Sequence, residues 1–72
     1  MTRRRDLVKK IADAAKEAGV PWVVAREGSN HTVYRLGELT IPVPRHTEVG
    51  EVTTREIYKE CAPELGKDWW RK

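Results

Sequence analysis

The tripeptide Gly-Ser-Asn at positions 28–30 constrains this chain most, because it lies between two runs of β-forming residues. Glycine accepts positive φ angles, and serine and asparagine side chains form hydrogen bonds with nearby backbone, so the three together favour a tight reversal. The flanking runs, at positions 22–25 and 32–36, are rich in valine and aromatic residues that are common in strands. The sequence therefore predicts a β-hairpin that presents His31 at the start of its second strand.

The second strand of this hairpin alternates in character. Because side chains in a strand repeat with a period of two, His31 and Arg35 fall on the same face. We expect this face to be the outer one. The opposite set is expected to point into the protein and consists of Thr32, Tyr34 and Leu36.

A third strand is predicted at positions 39–43, after a two-residue Gly-Glu connection of the hairpin type. Its interior face carries Leu39, Ile41 and Val43. Pro42 has no backbone N–H to donate to a neighbouring strand. This strand is therefore expected to lie at an edge of the sheet or to be ending.

A segment with helical spacing precedes the strands. Positions 3–18 are rich in helix-forming residues, with Thr2 as the expected N-cap and Gly19 as the expected stop. A narrow apolar stripe runs along this helix and consists of Leu7, Ile11, Ala14, Ala15 and Ala18. The run Arg3–Arg5 opposes the helix dipole, and we interpret it as a solvated first turn, with nucleic-acid contact as the alternative.

A second helix is predicted after a loop over positions 44–52. Thr53 and Glu56 have the spacing of a capping box, which marks a helix start. The inner face of this helix is expected to carry Ile57, Tyr58 and Cys61. Pro63 is expected to begin a separate last turn. At least one of the two C-terminal tryptophans, Trp69 and Trp70, is expected to close the small core.

The order helix, strand, strand, strand, helix defines the predicted fold. Both helices have one apolar face and can cover the same face of a three-stranded antiparallel sheet, which leaves the other face open. We therefore predict one α+β domain over positions 1–72, with two layers in the order α-β-β-β-α. A domain this small has a small core, so self-association or a stabilising partner is expected.

Composition restricts the setting in which such a domain works. The net charge is +3 and the sequence pI is about 9.3, a moderate basic excess that is compatible with phosphate binding. The single cysteine excludes an internal disulfide and suits a reducing cytoplasm, the expected location. No apolar run approaches the roughly 20 residues of a membrane span. No group of Cys, His and acidic residues has metal-ligand spacing, so no metal or other cofactor is expected.

The order of short motifs resembles the HicA family, the small mRNA-cleaving toxins of bacterial toxin–antitoxin pairs. Gly19 ends the first helix, Gly-Ser-Asn-His follows at 28–31, and Val-Pro-Arg-His follows at 43–46. The second helix with Ile57 comes next. This match is in register from about Leu7 to Leu65.

The resemblance implies a fold like that of double-stranded-RNA-binding domains and ribonuclease activity on mRNA. It also implies a HicB-type antitoxin that occludes the site, and hence a hetero-oligomer. Many members carry two adjacent histidines after Gly-Ser, whereas this chain has Asn30 in the first slot. Strand alternation favours the second slot, so the catalytic role is assigned to His31.

The chemistry expected of His31 is general acid–base catalysis without a metal. The imidazole would take the proton from a ribose 2′-OH, which attacks the adjacent phosphate. The charge that builds on the phosphate needs cations, which we expect from Arg26, Arg35 and Arg45. His46 is assigned a supporting role, and Ser29 and Asn30 of the turn complete the predicted RNA-contacting set. The alternative function is a non-catalytic RNA-binding module of the same fold.

Overall fold

The computed structural model describes residues 2–71, which form two long helices and five strands. In chain order the elements are β1 (Thr2–Arg3), α1 (Arg4–Ala18), β2 (Trp22–Glu27), β3 (His31–Leu36), β4 (Leu39–Pro44), β5 (Glu48–Val49), α2 (Glu51–Leu65) and a short 3₁₀ helix (Trp69–Arg71). The predicted α+β class and its α-β-β-β-α layout are confirmed.

The main sheet is antiparallel, with the strand order β2-β3-β4. The connection between β3 and β4 is the predicted two-residue turn, since Leu36 lies opposite Leu39. Gly37 has a φ of 60°, the positive value that the first central position of a type II′ turn requires. Pro42 lies in β4, which is an edge strand, so the missing backbone N–H costs no ladder bond on the free side.

The core lies between the helices and one face of this sheet. Thr32, Tyr34 and Leu36 are buried, as predicted, whereas His31 and Arg35 are exposed on the opposite face. The residues that meet under the helices include Leu7, Ile11, Ala15, Ile41, Val43, Val49, Ile57, Tyr58 and Cys61. Burial, with the nearby charge of Glu60 adding to it, raises the pKa of the Cys61 thiol to about 12. Cys61 therefore acts as a small apolar side chain.

Helix α1 ends where the sequence predicts but begins differently. Gly19 adopts the left-handed conformation, with a φ of 72°, and its N–H reaches the carbonyl oxygens of Ala15 and Lys16. Thr2 was expected to cap the helix, and that expectation is wrong: Thr2 pairs with Val49 in a two-stranded ladder, and Arg3 is the N-cap. Ala18, expected in the apolar stripe, is exposed.

Helix α2 begins three residues earlier than the predicted cap at Thr53 implies, at Glu51. The N–H of Thr54 donates to the carbonyl oxygen of Gly50 at 2.8 Å, which makes Gly50 the N-cap rather than Thr53. The expected loop also contains β5, because Glu48 and Val49 pair with β1. This pairing has no local sequence signal, since the two partner segments lie far apart in the chain.

The C-terminal turn of α2 also differs from the prediction. Pro63 lies inside the helix, which continues to Leu65 without a break. One of the two C-terminal tryptophans is in the core, as predicted: Trp69 is buried, and its indole N–H donates to the carbonyl oxygen of Tyr58 at 2.8 Å. Within residues 2–71, neither helix has the length and apolar character required to cross a membrane.

The adjacent tryptophans offer a matched test of this packing. Replacing Trp69 with alanine removes a buried ring and leaves the Tyr58 carbonyl without its partner, so we expect the free energy of unfolding to fall by about 3 kcal/mol. Trp70 is only partly buried, and Trp70→Ala should cost less. Urea denaturation followed by circular dichroism measures both, and equal losses would contradict the assignment of Trp69 to the core.

Candidate nucleic-acid interface

The hairpin between β2 and β3 holds His31 in a fixed, exposed position. The N–H of Gly28 donates to the carbonyl oxygen of His31 at 2.8 Å and closes the turn. A Cβ atom on Gly28 would lie 2.9 Å from that same oxygen, so the backbone would have to shift for any other residue. The turn is also tied to the end of β4, because the N–H of Arg45 donates to the carbonyl oxygen of Asn30 at 3.2 Å.

A β-bulge in β2 decides where Arg26 points. The register runs from Val24 opposite Tyr34 directly to Arg26 opposite Val33, which leaves Ala25 as the extra residue. In a regular ladder Arg26 would face the side that the helices cover. The bulge instead moves Arg26 to the outer face, the face that also carries His31 and Arg35.

The outer face of the sheet therefore presents one imidazole and two guanidinium groups. Arg26 lies opposite Val33, which separates His31 from Arg35 along β3. Diagonal neighbours in a sheet lie roughly 7–8 Å apart, within reach of arginine side chains. Across residues 2–71, none of these three side chains makes a hydrogen bond or an ion pair. All three are exposed and free to contact a ligand.

Arg45 is held differently, by a network of side chains beneath the hairpin. Its guanidinium pairs with the Glu27 carboxylate. The Glu27 carboxylate also accepts a hydrogen bond from the buried Thr32 hydroxyl at 2.9 Å. That hydroxyl accepts one from the Arg4 guanidinium at 3.0 Å. The network thus joins the first turn of α1, the base of the hairpin and the end of β4.

The charge state of Glu27 follows from this network. The hydrogen bond from Thr32 lowers the pKa of Glu27 most, burial opposes the shift, and the charges of Arg45 and Arg4 lower it further. Glu27 therefore stays ionised below the usual pH range of glutamate titration. Sequence reasoning missed Glu27, Thr32 and Arg4. The contacts of Arg4 and Arg45 join segments far apart in the chain, whereas Glu27 and Thr32 lie opposite each other in one hairpin, a local signal that could have identified that pair.

The remaining predicted residues lie at the rim of this surface. Ser29 and Asn30 are exposed in the turn, and His46 is exposed in the loop after Arg45. His31 lies opposite Pro44, so the loop residues 45 and 46 follow directly on the neighbouring strand. The predicted residues are therefore brought to one end of the sheet, while Arg35 lies further along the outer face.

Comparisons with known proteins identify no relative: no family model, no curated protein and no solved structure matches this chain. Among the described residues, no three His, Cys, Asp or Glu side chains gather closely enough to hold a metal ion.

The lowered pKa of Glu27 predicts how the stability of the protein changes in acid. Because the pKa of Glu27 is lowered in the folded state, its pairing contributes stability above the unfolded pKa of about 4.3. That contribution is lost as the pH falls through the folded pKa. A carbon-13 NMR titration should show Glu27 titrating below this range, and Thr32→Val should raise its pKa toward the ordinary value. An ordinary pKa for Glu27 in the unaltered protein would contradict the network.

Proposed function

We propose that this protein is a ribonuclease that cleaves mRNA, of the toxin type that the HicA family represents. The observation that carries the proposal is an exposed imidazole, His31, fixed by a tight hairpin on the same sheet face as two unpaired guanidinium groups, Arg26 and Arg35. A base beside two cations is the arrangement that RNA cleavage by the ribose 2′-OH requires.

The proposed reaction is a transesterification followed by release of the two fragments. His31 accepts the proton of the 2′-OH as the 2′ oxygen forms a bond to phosphorus, and the bond from phosphorus to the 5′ oxygen breaks. The leaving 5′ oxygen takes up a proton, for which His46 is the candidate donor. The products are a 2′,3′-cyclic phosphate and a 5′-OH. The requirement for a 2′-OH would restrict cleavage to RNA.

The arginines are assigned to the phosphate. As the 2′ oxygen attacks, negative charge increases on the two non-bridging oxygens, and a guanidinium can contact both through parallel N–H groups. Arg26 and Arg35 carry no competing carboxylate within residues 2–71 and so keep their full charge for this task. Arg45 shares its charge with Glu27 and is better suited to positioning the substrate.

A HicB-type antitoxin is the proposed protein partner. The proposal rests on the family resemblance and on the open outer face, which neither helix covers. A partner that occupied this face would block His31 and both outer arginines together. The mRNA and the antitoxin would then compete for the same surface.

The first test replaces His31 with alanine. Loss of the general base should lower the rate of RNA cleavage by about 10²–10⁴, while the far-ultraviolet circular dichroism stays unchanged because the side chain is exposed. The assay follows a labelled single-stranded RNA in the presence of EDTA, and mass spectrometry identifies the 2′,3′-cyclic end. His46→Ala removes the candidate proton donor for the leaving oxygen and should also lower the rate, though less than His31→Ala.

Two outcomes of this assay would contradict the proposal. Wild-type cleavage by the His31→Ala variant would remove the catalytic assignment. RNA that stays intact with the unaltered protein, but binds to it, would favour the non-catalytic RNA-binding module instead.

The second test concerns the cations of the outer face. Arg26→Gln combined with Arg35→Gln should lower the cleavage rate by about 10² or more, because the negative charge on the phosphate in the transition state loses two guanidinium hydrogen-bond donors. The control with the same change in net charge is Arg55→Gln combined with Arg71→Gln, on exposed residues of α2 and the C-terminal turn. Equal losses in both double variants would show that only the overall charge matters.

A further inference from the structure

A second basic surface lies at the start of α1, beside the network. It is a concave pocket of about 480 Å³ lined by Arg3, Arg4, Arg5, Arg45, Thr47 and Glu48. Four of these six residues are arginines and one is acidic. Apart from Arg45, none of them belongs to the predicted catalytic or RNA-contacting set.

The charge in this pocket is poorly compensated. Within residues 2–71, Arg3 and Arg4 have no carboxylate within 4.0 Å, and Arg5 has a single contact of 3.9 Å with the exposed Asp6. Exposed ion pairs of this kind contribute little. The pocket therefore has a net positive charge, although Glu48 forms part of its wall and Arg45 is paired with Glu27.

Arg3, Arg4 and Arg5 lie at the start of α1, where positive charge destabilises the helix when no ligand is bound. The N-terminus of a helix is already positive, and each added cation there is unfavourable. Among residues 2–71 no side chain caps this helix, and the N–H of Arg4 donates to the carbonyl oxygen of Thr47 at 2.8 Å. A bound phosphate would relieve both the mutual repulsion of the arginines and the unfavourable dipole term.

Two of the arginines are held in place before any ligand binds. Arg4 donates from Nε to the carbonyl oxygen of Pro44 at 2.9 Å and from Nη2 to the Thr32 hydroxyl. Arg45 is oriented by Glu27. Because their side chains are already ordered, contact with a phosphate loses less conformational entropy.

The pocket is close to His31 along the backbone. Pro44, which binds Arg4, lies directly opposite His31 in the ladder between β3 and β4. Paired residues in antiparallel strands lie roughly 5 Å apart at Cα, and Arg45 is the next residue along. Arg45 therefore lines the pocket and directly follows the residue opposite His31, at the β4 edge of the sheet.

We infer that this pocket binds a backbone phosphate of the same RNA, on one side of the phosphate that His31 attacks. This inference rests on the proposed function. RNA that crosses the outer face would pass over the β4 edge at Arg45 and place a neighbouring phosphate among Arg3, Arg4 and Arg5. Arg3 and Arg5, which are exposed, act there as mobile contacts, and Arg4 acts as the fixed one.

The test measures binding separately from cleavage. A labelled single-stranded 2′-O-methyl RNA cannot be cut by 2′-OH chemistry, so its affinity can be measured by fluorescence anisotropy over a range of salt concentrations. The test variant is Arg3→Gln combined with Arg5→Gln, on exposed side chains whose loss should leave the fold intact. The control removes the same charge elsewhere: Lys16→Gln at the far end of α1, combined with Lys59→Gln on α2.

We expect the test variant to bind RNA about 10-fold more weakly and with a shallower salt dependence, by roughly 0.7 in the logarithmic slope for each lost phosphate contact. The control should change affinity less than about twofold, since distant exposed charges are screened. Equal effects in the two double variants, or no RNA binding by the unaltered protein, would overturn the inference.

A further arm distinguishes RNA from a free anion. Binding of inorganic phosphate is detected by amide shifts at Arg4 and Thr47. If phosphate binds saturably but the RNA affinity is unchanged by the substitutions at Arg3 and Arg5, the inference that the pocket binds RNA is overturned. Failure of the proposed function appears elsewhere, as cleavage that does not depend on His31. If the protein binds RNA through the pocket but does not cut it, the catalytic proposal is wrong and the phosphate site in the pocket stands.

Discussion

The structure depends on burying one face of a three-stranded sheet beneath two helices. The chain has 72 residues and a single cysteine, so its core must come from one set of facing apolar side chains. Leu7 and Ile11 of α1, and Ile57 and Cys61 of α2, meet the inner face of the sheet there. Because both helices lie on that side, the other face of the sheet remains open, and polar residues on it cost no desolvation.

Thr32 connects the buried side of this arrangement to the exposed side. Its hydroxyl is buried but fully used, accepting from Arg4 and donating to Glu27, so it stabilises the network without leaving an unpaired polar atom. The residue before it, His31, points the other way into solvent. Alternation along one strand thus places an exposed side chain next to a buried, fully bonded one.

Several positively charged side chains lie at positions where they do not stabilise the fold. Arg26 and Arg35 have no acidic partner among the described residues, and three arginines crowd the positive end of α1. Local choices that oppose the stability of a fold tend to mark functional sites. The two basic surfaces are linked along the chain by Arg45, which lines the pocket and follows the strand position opposite His31.

The sequence by itself determined the element order, the inner and outer faces of β3 and β4, the helix stop at Gly19 and the exposure of His31, because these follow from local periodicity and turn chemistry. Tertiary structure alone decided the β-bulge at Ala25, which turns Arg26 outward, and the pairing of Thr2 and Arg3 with the segment just before α2. It also decided the contacts of Arg4 and Arg45, since side-chain hydrogen bonds to residues 18 to 40 positions away in the chain depend on how the elements pack.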